Sequence, residues 1–142
     1  MQVRDLMNTN VVAITPGESA ALAARLLSRH NLGALPVCGE DGILRGIVTD
    51  RDIVLRCVAA ESDPLATTVA HIMTKRPASV SPSDDVRLAA QRMSAQQVRR
   101  LPVVDRGKVV GMVSLGDLAK CGRYEMEVSK ALTDISENIR QP

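Results

Sequence analysis

Two stretches of the chain hold the polar side chains best suited to chemistry. They are Gly46-Ile47-Val48-Thr49-Asp50-Arg51-Asp52-Ile53 and Gly111-Met112-Val113-Ser114-Leu115-Gly116-Asp117-Leu118. Each runs glycine, two apolar residues, a hydroxyl, two residues, an aspartate and an apolar residue. Two readings are open. A Thr or Ser followed three residues later by an acid, at the start of a helix, forms a capping box that satisfies orphan N–H groups. Alternatively, a strand end feeds a helix N-terminus beside a cleft, where backbone N–H groups and the helix dipole favour phosphate. The hydroxyl then adds a hydrogen bond to phosphate or sugar. An ionised carboxylate only accepts, so it can hold both hydrogens of a ribose diol. That set suits a nucleoside phosphate. It does not suit an isolated phosphate, which the carboxylate would repel.

The elements that must position these groups occur twice. A shift of about 66 positions places Met7 on Met73, Pro16 on Pro82, Leu22-Ala23-Ala24 on Leu88-Ala89-Ala90 and Leu35-Pro36-Val37 on Leu101-Pro102-Val103. One residue is dropped before Gly107, after which Gly42, Gly46, Val48 and Asp52 match Gly107, Gly111, Val113 and Asp117. An internal repeat outranks local signals in deciding a fold. The lead-ins Val3 to Met7 and Val69 to Met73 read as single helical turns. Val11 to Ile14 and Ala78 to Val80 read as short strands ending at Pro16 and Pro82. Glu18 and Asp84-Asp85 supply the negative charge that a helix start favours. The helices that follow carry apolar stripes at i, i+3, i+4, i+7: Ala20, Ala23, Ala24, Leu27 and Val86, Ala89, Ala90, Met93. Arg25, Arg29, Arg87 and Arg92 are left for water or side contacts. Glu40-Asp41-Gly42 and Asp105-Arg106-Gly107 are turns. Each joins a Pro-containing strand to Leu44–Thr49 or Lys108–Ser114, and a helix starts at Asp50 or Leu115.

Each repeat thus reads strand, helix, strand, strand, helix: α/β (α+β), a small mixed sheet with helices on one face. The expected domains are repeat 1 (1–61), a linker (62–68), repeat 2 (69–122) and a C-terminal amphipathic helix (123–142). Tyr124, Val128, Leu132, Ile135 and Ile139 form the stripe of that helix, to be buried on its own chain or on a partner.

Composition narrows the function. Apolar residues make up 45% and charged residues 24% of 142, as in an ordinary globular protein. A net charge of +2 gives no footprint for wrapping nucleic acid. One Tyr, no Phe and no Trp leave no platform for stacking bases of a single strand. No apolar run approaches the length of a membrane span, and the first residues lack the pattern of a secretory signal. Cys38, Cys57 and Cys121 are odd in number and widely spaced, which argues against a disulfide framework and for a reducing cytoplasm. His30 and His71 stand outside metal-ligand spacing, and no set of groups is arranged for acid–base work. The expectation is a protein that is not an enzyme and needs no metal or cofactor.

The doubled hydroxyl-x-x-Asp motif, the apolar-Pro-Val strand ahead of it and the tandem copy resemble a pair of cystathionine beta-synthase (CBS) domains, the Bateman module. The resemblance covers residues 1 to about 122. The string Gly46 to Ile53 is similar to that of stand-alone bacterial CBS-pair proteins. It implies two repeats packed with pseudo-twofold symmetry and two clefts, usually for adenine nucleotides. In such proteins the Asp holds the ribose, the hydroxyl lies near ribose and phosphate, and adenine lies between the first strand and the apolar-Pro strand. Carried over, the first cleft takes Asp52 and Thr49, with Ile14, Thr15, Leu35 and Pro36 at the base. The second takes Asp117 and Ser114, with Val80, Ser81, Leu101 and Pro102.

The repeats differ ahead of the Pro strand, where Arg99-Arg100 stand against Gly33-Ala34. In related modules a basic residue there reaches the ligand phosphates. Either the second cleft, or a phosphate path shared by both, is the tighter anionic site, or the two arginines pair with surface carboxylates. Arg51 is a phosphate candidate in the first repeat or a partner in a surface ion pair. The resemblance implies a regulatory module that binds AMP, ADP or ATP, forms a homodimer and acts on a downstream protein. S-adenosylmethionine, NAD and a cyclic dinucleotide remain as other ligands. The alternative is a structural dimerisation module with vestigial clefts.

Overall fold

The computed structural model describes residues 1–140, with side chains to residue 137; the side chain of Ile139 lies outside the described residues. The chain forms two compact units that are cut differently from the sequence repeats. One is Val12–Pro77; the other joins Met1–Val11 to Ala78–Pro142. Each lead-in therefore serves the sheet of the other repeat.

In the unit Val12–Pro77, α1 (Ala20–His30) precedes the hairpin β1 (Ala34–Cys38) and β2 (Leu44–Thr49). The short helix α2 (Asp50–Ile53) runs into a π-type turn, Val54–Val58, and α3 (Val69–Ile72) leads to the edge strand β3 (Thr74–Lys75). The sheet order is β1-β2-β3, all antiparallel. The second unit begins with a 3-10 turn, Val3–Asp5. It then holds α4 (Val86–Gln96), the antiparallel hairpin β4 (Arg100–Asp105) and β5 (Lys108–Ser114), α5 (Leu115–Cys121) and α6 (Glu125–Arg140).

Glycine sets how closely each lead-in passes its strand. A Cβ on Gly46 would stand 2.7 Å from Met73 Sδ and from the Thr74 carbonyl. On Gly111 it would meet Met7 Sδ at 2.8 Å and the Asn8 carbonyl at 3.1 Å. The glycines that open the two motifs are thus sites of close backbone approach.

The helix boundaries follow local chemistry. Ser19 caps α1 by accepting from the Leu22 N–H, and Asp85 caps α4 by accepting from the Arg87 N–H. Both helices end on a left-handed residue, Asn31 or Gln97.

The expected strands Val11–Ile14 and Ala78–Val80 shrink to one parallel bridge each, Ile14 to Val37 and Val80 to Val103. Proline is the cause. The Ile14 N–H donates to the Pro36 carbonyl at 3.1 Å, and Cys38 N–H to the Ile14 carbonyl at 2.9 Å. The preceding rung of a parallel ladder would need an N–H from residue 36 to the Val12 carbonyl, and proline has none. Pro102 stops the ladder at Ala78 in the same way.

Each unit has its own apolar core. One is built on Ile14, Ala23, Leu35, Val37, Val48 and Ile72; the other on Val3, Val86, Met93, Leu101, Val103 and Leu118. Two expected core positions are corrected. Ala24 of α1 is exposed, whereas its counterpart Ala90 is buried, because α6 packs on α4. Tyr124, just ahead of α6, and Ala131 and Ile135 on it are buried, while Leu132 is 46% exposed. Tyr124, Val128 and Ile135 face the core as expected, and only at Leu132 does the stripe shift by one position, to the small Ala131 that a close helix contact favours. The stripe is buried on the helix's own chain.

Candidate functional site

The pleat of each hairpin sorts the motif residues onto two faces. Leu35 and Val37 pair with Val48 and Gly46, and Leu35, Val37 and Val48 are fully buried in the core. Ala34 and Pro36 pair with Thr49 and Ile47 and share the opposite face. In the second unit Leu101 and Val103 take the core face, with Val113 across from Leu101. Arg100 and Pro102 stand across from Ser114 and Met112. The pairing therefore puts a proline and the motif hydroxyl on the same face of each hairpin, with Pro36 and Pro102 themselves buried. In the second unit Arg100 stands beside the hydroxyl, at the distance where directly opposed side chains interact. Arg99 and Arg51 are exposed, as is Arg100.

The strand ends are fastened to the helix starts. Asp50 N–H donates to the Gly33 carbonyl at 3.1 Å, and Leu115 N–H to the Arg99 carbonyl at 2.8 Å. Both capping boxes form. Thr49 N–H donates to Asp52 Oδ2 at 3.0 Å and Asp52 N–H to Thr49 Oγ1 at 3.0 Å. Ser114 N–H donates to Asp117 Oδ2 at 2.8 Å and Asp117 N–H to Ser114 Oγ at 3.1 Å. The capping reading of the motif is thus correct for one carboxylate oxygen. The other, Oδ1, makes no hydrogen bond with the described residues in either copy. Asp52 is only 8% exposed, yet no buried side-chain oxygen or nitrogen among the described residues lacks a partner. Asp52 Oδ1 is therefore the oxygen that reaches solvent. Asp117 is half-buried. Each aspartate has one oxygen holding a helix start and one left to accept.

Ile14 and Val80 are buried beside the Pro strands, at 4% and 2% exposure. Thr15 is half-buried and Ser81 exposed. The unzipped rung at Pro36 and Pro102 leaves the Val12 and Ala78 carbonyls without a ladder partner on this side. In each unit the Pro strand thus lies between the first-strand bridge on one side and the strand that carries the hydroxyl-carboxylate pair on the other.

Two further features were missed in reading the sequence. Arg92 of α4 donates from Nη1 to the Ser79 carbonyl and lies 3.8 Å from Asp84 Oδ2, which accepts the Ser81 N–H at 2.8 Å. Its signal was present in the repeat: Arg92 falls on Leu26, an apolar position turned basic. The second feature is a groove of about 370 Å³ lined by Ala90, Gln91, Ser94, Ala95, Glu127, Lys130 and Asp134. Its floor is tied by Ser94 and Lys130 donating to Asp134, the latter at 2.8 Å. Those bonds, Lys130's first, hold the Asp134 carboxyl below its ordinary range. Burial and then the Asp41 charge push the Cys38 thiol up. No group of three His, Cys, Asp or Glu side chains comes together for a metal among the described residues. No helix there is long and apolar enough to cross a membrane.

The CBS domain family matches residues 3–58 and 69–123. The CBS domain-containing protein YhcV of Bacillus subtilis is 42% identical over 138 residues, covering 96% of this chain and 97% of that one. The crystal structure of Hypoxic Response Protein I with two coordinated zinc ions superposes with a TM-score of 0.79 at 35% identity, over 84% of this chain and 98% of that one. The CBS domain pair of protein MJ0100, in complex with 5′-methylthioadenosine and S-adenosyl-L-methionine, superposes at 0.78 with 29% identity, over 86% and 99%. The duplicated hairpins, their twin capping boxes and these matches together show that the chain belongs to the CBS domain family and holds a pair of CBS domains.

Proposed function

We propose that the chain is a regulatory module that binds an adenosine nucleotide, AMP, ADP or ATP, in one or both slots and acts on a partner protein. The observation that carries this reading is the division of labour in Asp52 and Asp117. One oxygen caps the helix; the other is left without a partner among the described residues, beside the motif hydroxyl. A ribose diol presents two donors to such an oxygen pair, and the helix N-terminus beside it favours phosphate. Thr49, Asp52, Ile14, Thr15 and Pro36 serve the first slot, with Arg51 toward the phosphate. Ser114, Asp117, Val80, Ser81 and Pro102 serve the second, with Arg99 and Arg100. Leu35 and Leu101 support each slot from the core side. The adenosine-derived ligands of the MJ0100 CBS pair support the ligand class. A ligand of this kind regulates by preferring one conformation over another. No catalytic step is assigned to the chain.

A second reading, a dimerisation module with vestigial clefts, rests on a different observation. Val54, Leu55 and Val58, on the turn after Asp52, are 55%, 49% and 60% exposed. Their counterparts in the second repeat are Ala119, Lys120 and Arg123. That apolar face supports a homodimer under either reading. A thermal-shift titration separates the two. A bound nucleotide at 100 times its dissociation constant adds about 2.7 kcal/mol to stability, and a chain with vestigial clefts shows no shift with any adenosine compound.

A further inference from the structure

The two slots hang on the same backbone frame. In one unit Val69 N–H donates to the Glu18 carbonyl at 2.8 Å and Ala70 N–H to the Pro16 carbonyl at 2.9 Å. In the other, Val3 N–H donates to the Asp84 carbonyl at 2.8 Å and Arg4 N–H to the Pro82 carbonyl at 2.9 Å. The wall turns match too: Glu18 N–H to the Thr15 carbonyl at 3.2 Å, Asp84 N–H to the Ser81 carbonyl at 3.1 Å. Against this common frame the side chains differ at two places that matter: Asp84 stands where the first repeat has Glu18, and Arg92 where it has Leu26. Arg92 ties the Ser79 carbonyl to the Asp84 carboxylate, and that carboxylate holds the Ser81 N–H. Leu26 stands in its place in the first repeat and packs on the core. Among the described residues, the Thr15 N–H has no such acceptor.

We propose that Arg92 is a positioning residue that makes the second slot the pre-formed one. It fixes the wall Ser79–Asp84 before any ligand arrives, whereas the matching wall Ala13–Glu18 is held by its backbone bonds without such a side-chain tie. This inference rests on the nucleotide reading for its consequence but not for its structural content. A pre-ordered wall loses less conformational entropy on binding. A nucleotide should therefore fill the second slot first, with Arg92 acting through the wall and not through the ligand.

The test has two arms. In the ligand-free chain, amide exchange is followed residue by residue by NMR in wild type, Arg92→Leu and Arg92→Lys. The Ser81 and Asp84 amides should exchange more slowly than those of Thr15 and Glu18. Arg92→Leu should abolish the difference and Arg92→Lys restore part of it, with exchange in the core of β4 and β5 unchanged. The second arm is calorimetry with AMP on Asp52→Ala, which isolates the second slot. Adding Arg92→Leu should weaken binding there about two- to tenfold, the share of one net hydrogen bond. If Arg92→Leu leaves Ser81 and Asp84 exchange unchanged, the proposal is overturned. It is equally overturned if exchange rises while AMP affinity stays the same. If AMP fails to bind even the wild-type chain, the nucleotide reading falls instead, and exchange alone decides whether Arg92 orders the wall.

Discussion

Replacing Asp52 or Asp117 by asparagine separates the capping that each carboxylate does from the ribose binding proposed for it. Oδ2 accepts the hydroxyl residue's N–H, at 3.0 Å from Thr49 and 2.8 Å from Ser114. Asparagine keeps one oxygen for that bond. It replaces the second oxygen by an amide that donates, so one acceptor for the ribose diol is lost and the charge with it. A hydrogen bond to a charged acceptor contributes about 1.5–3 kcal/mol, which is about 10- to 150-fold in a dissociation constant. The box should change by only a few tenths of a kcal/mol, whereas alanine, which loses the carboxylate half of the box and keeps the hydroxyl cap, should cost up to about 1 kcal/mol. Calorimetry with AMP, paired with urea unfolding, reads both quantities on one sample. Asp52→Asn and Asp117→Asn are expected to weaken AMP binding tenfold or more at their own slot, with unfolding free energy nearly that of wild type. Asparagine variants that bind AMP as tightly as wild type would show that the carboxylates are caps and nothing more, and the ribose assignment would be wrong.

Other expectations follow from single contacts. Pro102→Ala supplies the missing N–H opposite the Ala78 carbonyl, so the ladder should extend by one rung; NMR should show a protected amide at position 102 and weaker AMP binding, and an unprotected amide there would disprove the role given to proline. Val54→Glu with Val58→Glu should convert a dimer to a monomer in light scattering, while Leu132→Glu should not; an unaffected dimer would place the interface elsewhere. The Asp134 carboxyl is held below its ordinary value of 3.8 by Lys130 and then Ser94. Its folded value is depressed, so its contribution is present above the unfolded value and lost as pH falls through the folded one. Tyr124, the single aromatic residue, borders α6 and lies under the Arg87 guanidinium at 5.7 Å. Its fluorescence should report an acid step in wild type that Asp134→Asn lacks. An identical acid limb in both would remove the role of that carboxylate.

The hairpins, the main helices and the capping boxes were legible because their signals are local. Asp41-Gly42 and Arg106-Gly107 mark the turns, alternation marks β2 and β5, and the Thr49–Asp52 and Ser114–Asp117 spacing marks helix starts. What failed to show depends on distant contacts. The lead-ins trade places between repeats, which no periodicity can reveal, although Gly46 and Gly111 carry the trace of it as close approaches. The first strands look like strands by composition, yet Pro36 and Pro102, more than twenty residues away in sequence, withhold the N–H each would need. Ala24 and Ala90 share a stripe position, and only the second is covered, by a helix that has no counterpart in the first repeat. Leu132 is placed inside by its helical spacing from Val128 and Ile135. Ala131 lies there instead, because helix α6 approaches α4 closely. Arg92 reads as a solvent-facing charge until its carbonyl and carboxylate partners are seen. The slot residues are assigned through resemblance, and the pleat sorts them by face: Pro36 and Pro102, both buried, on the face of Thr49 and Ser114, and Leu35 and Leu101 on the opposite, core face.

The central claim is that each unit presents a nucleoside slot at its hydroxyl-x-x-Asp helix start. An NMR titration of the 15N-labelled chain with AMP tests it most directly. The account predicts saturable shifts centred on the amides of Thr49–Asp52 with Ile14 and Thr15, on those of Ser114–Asp117 with Val80 and Ser81, or on both. Shifts confined to the groove between α4 and α6, or no shifts at millimolar AMP, would contradict it.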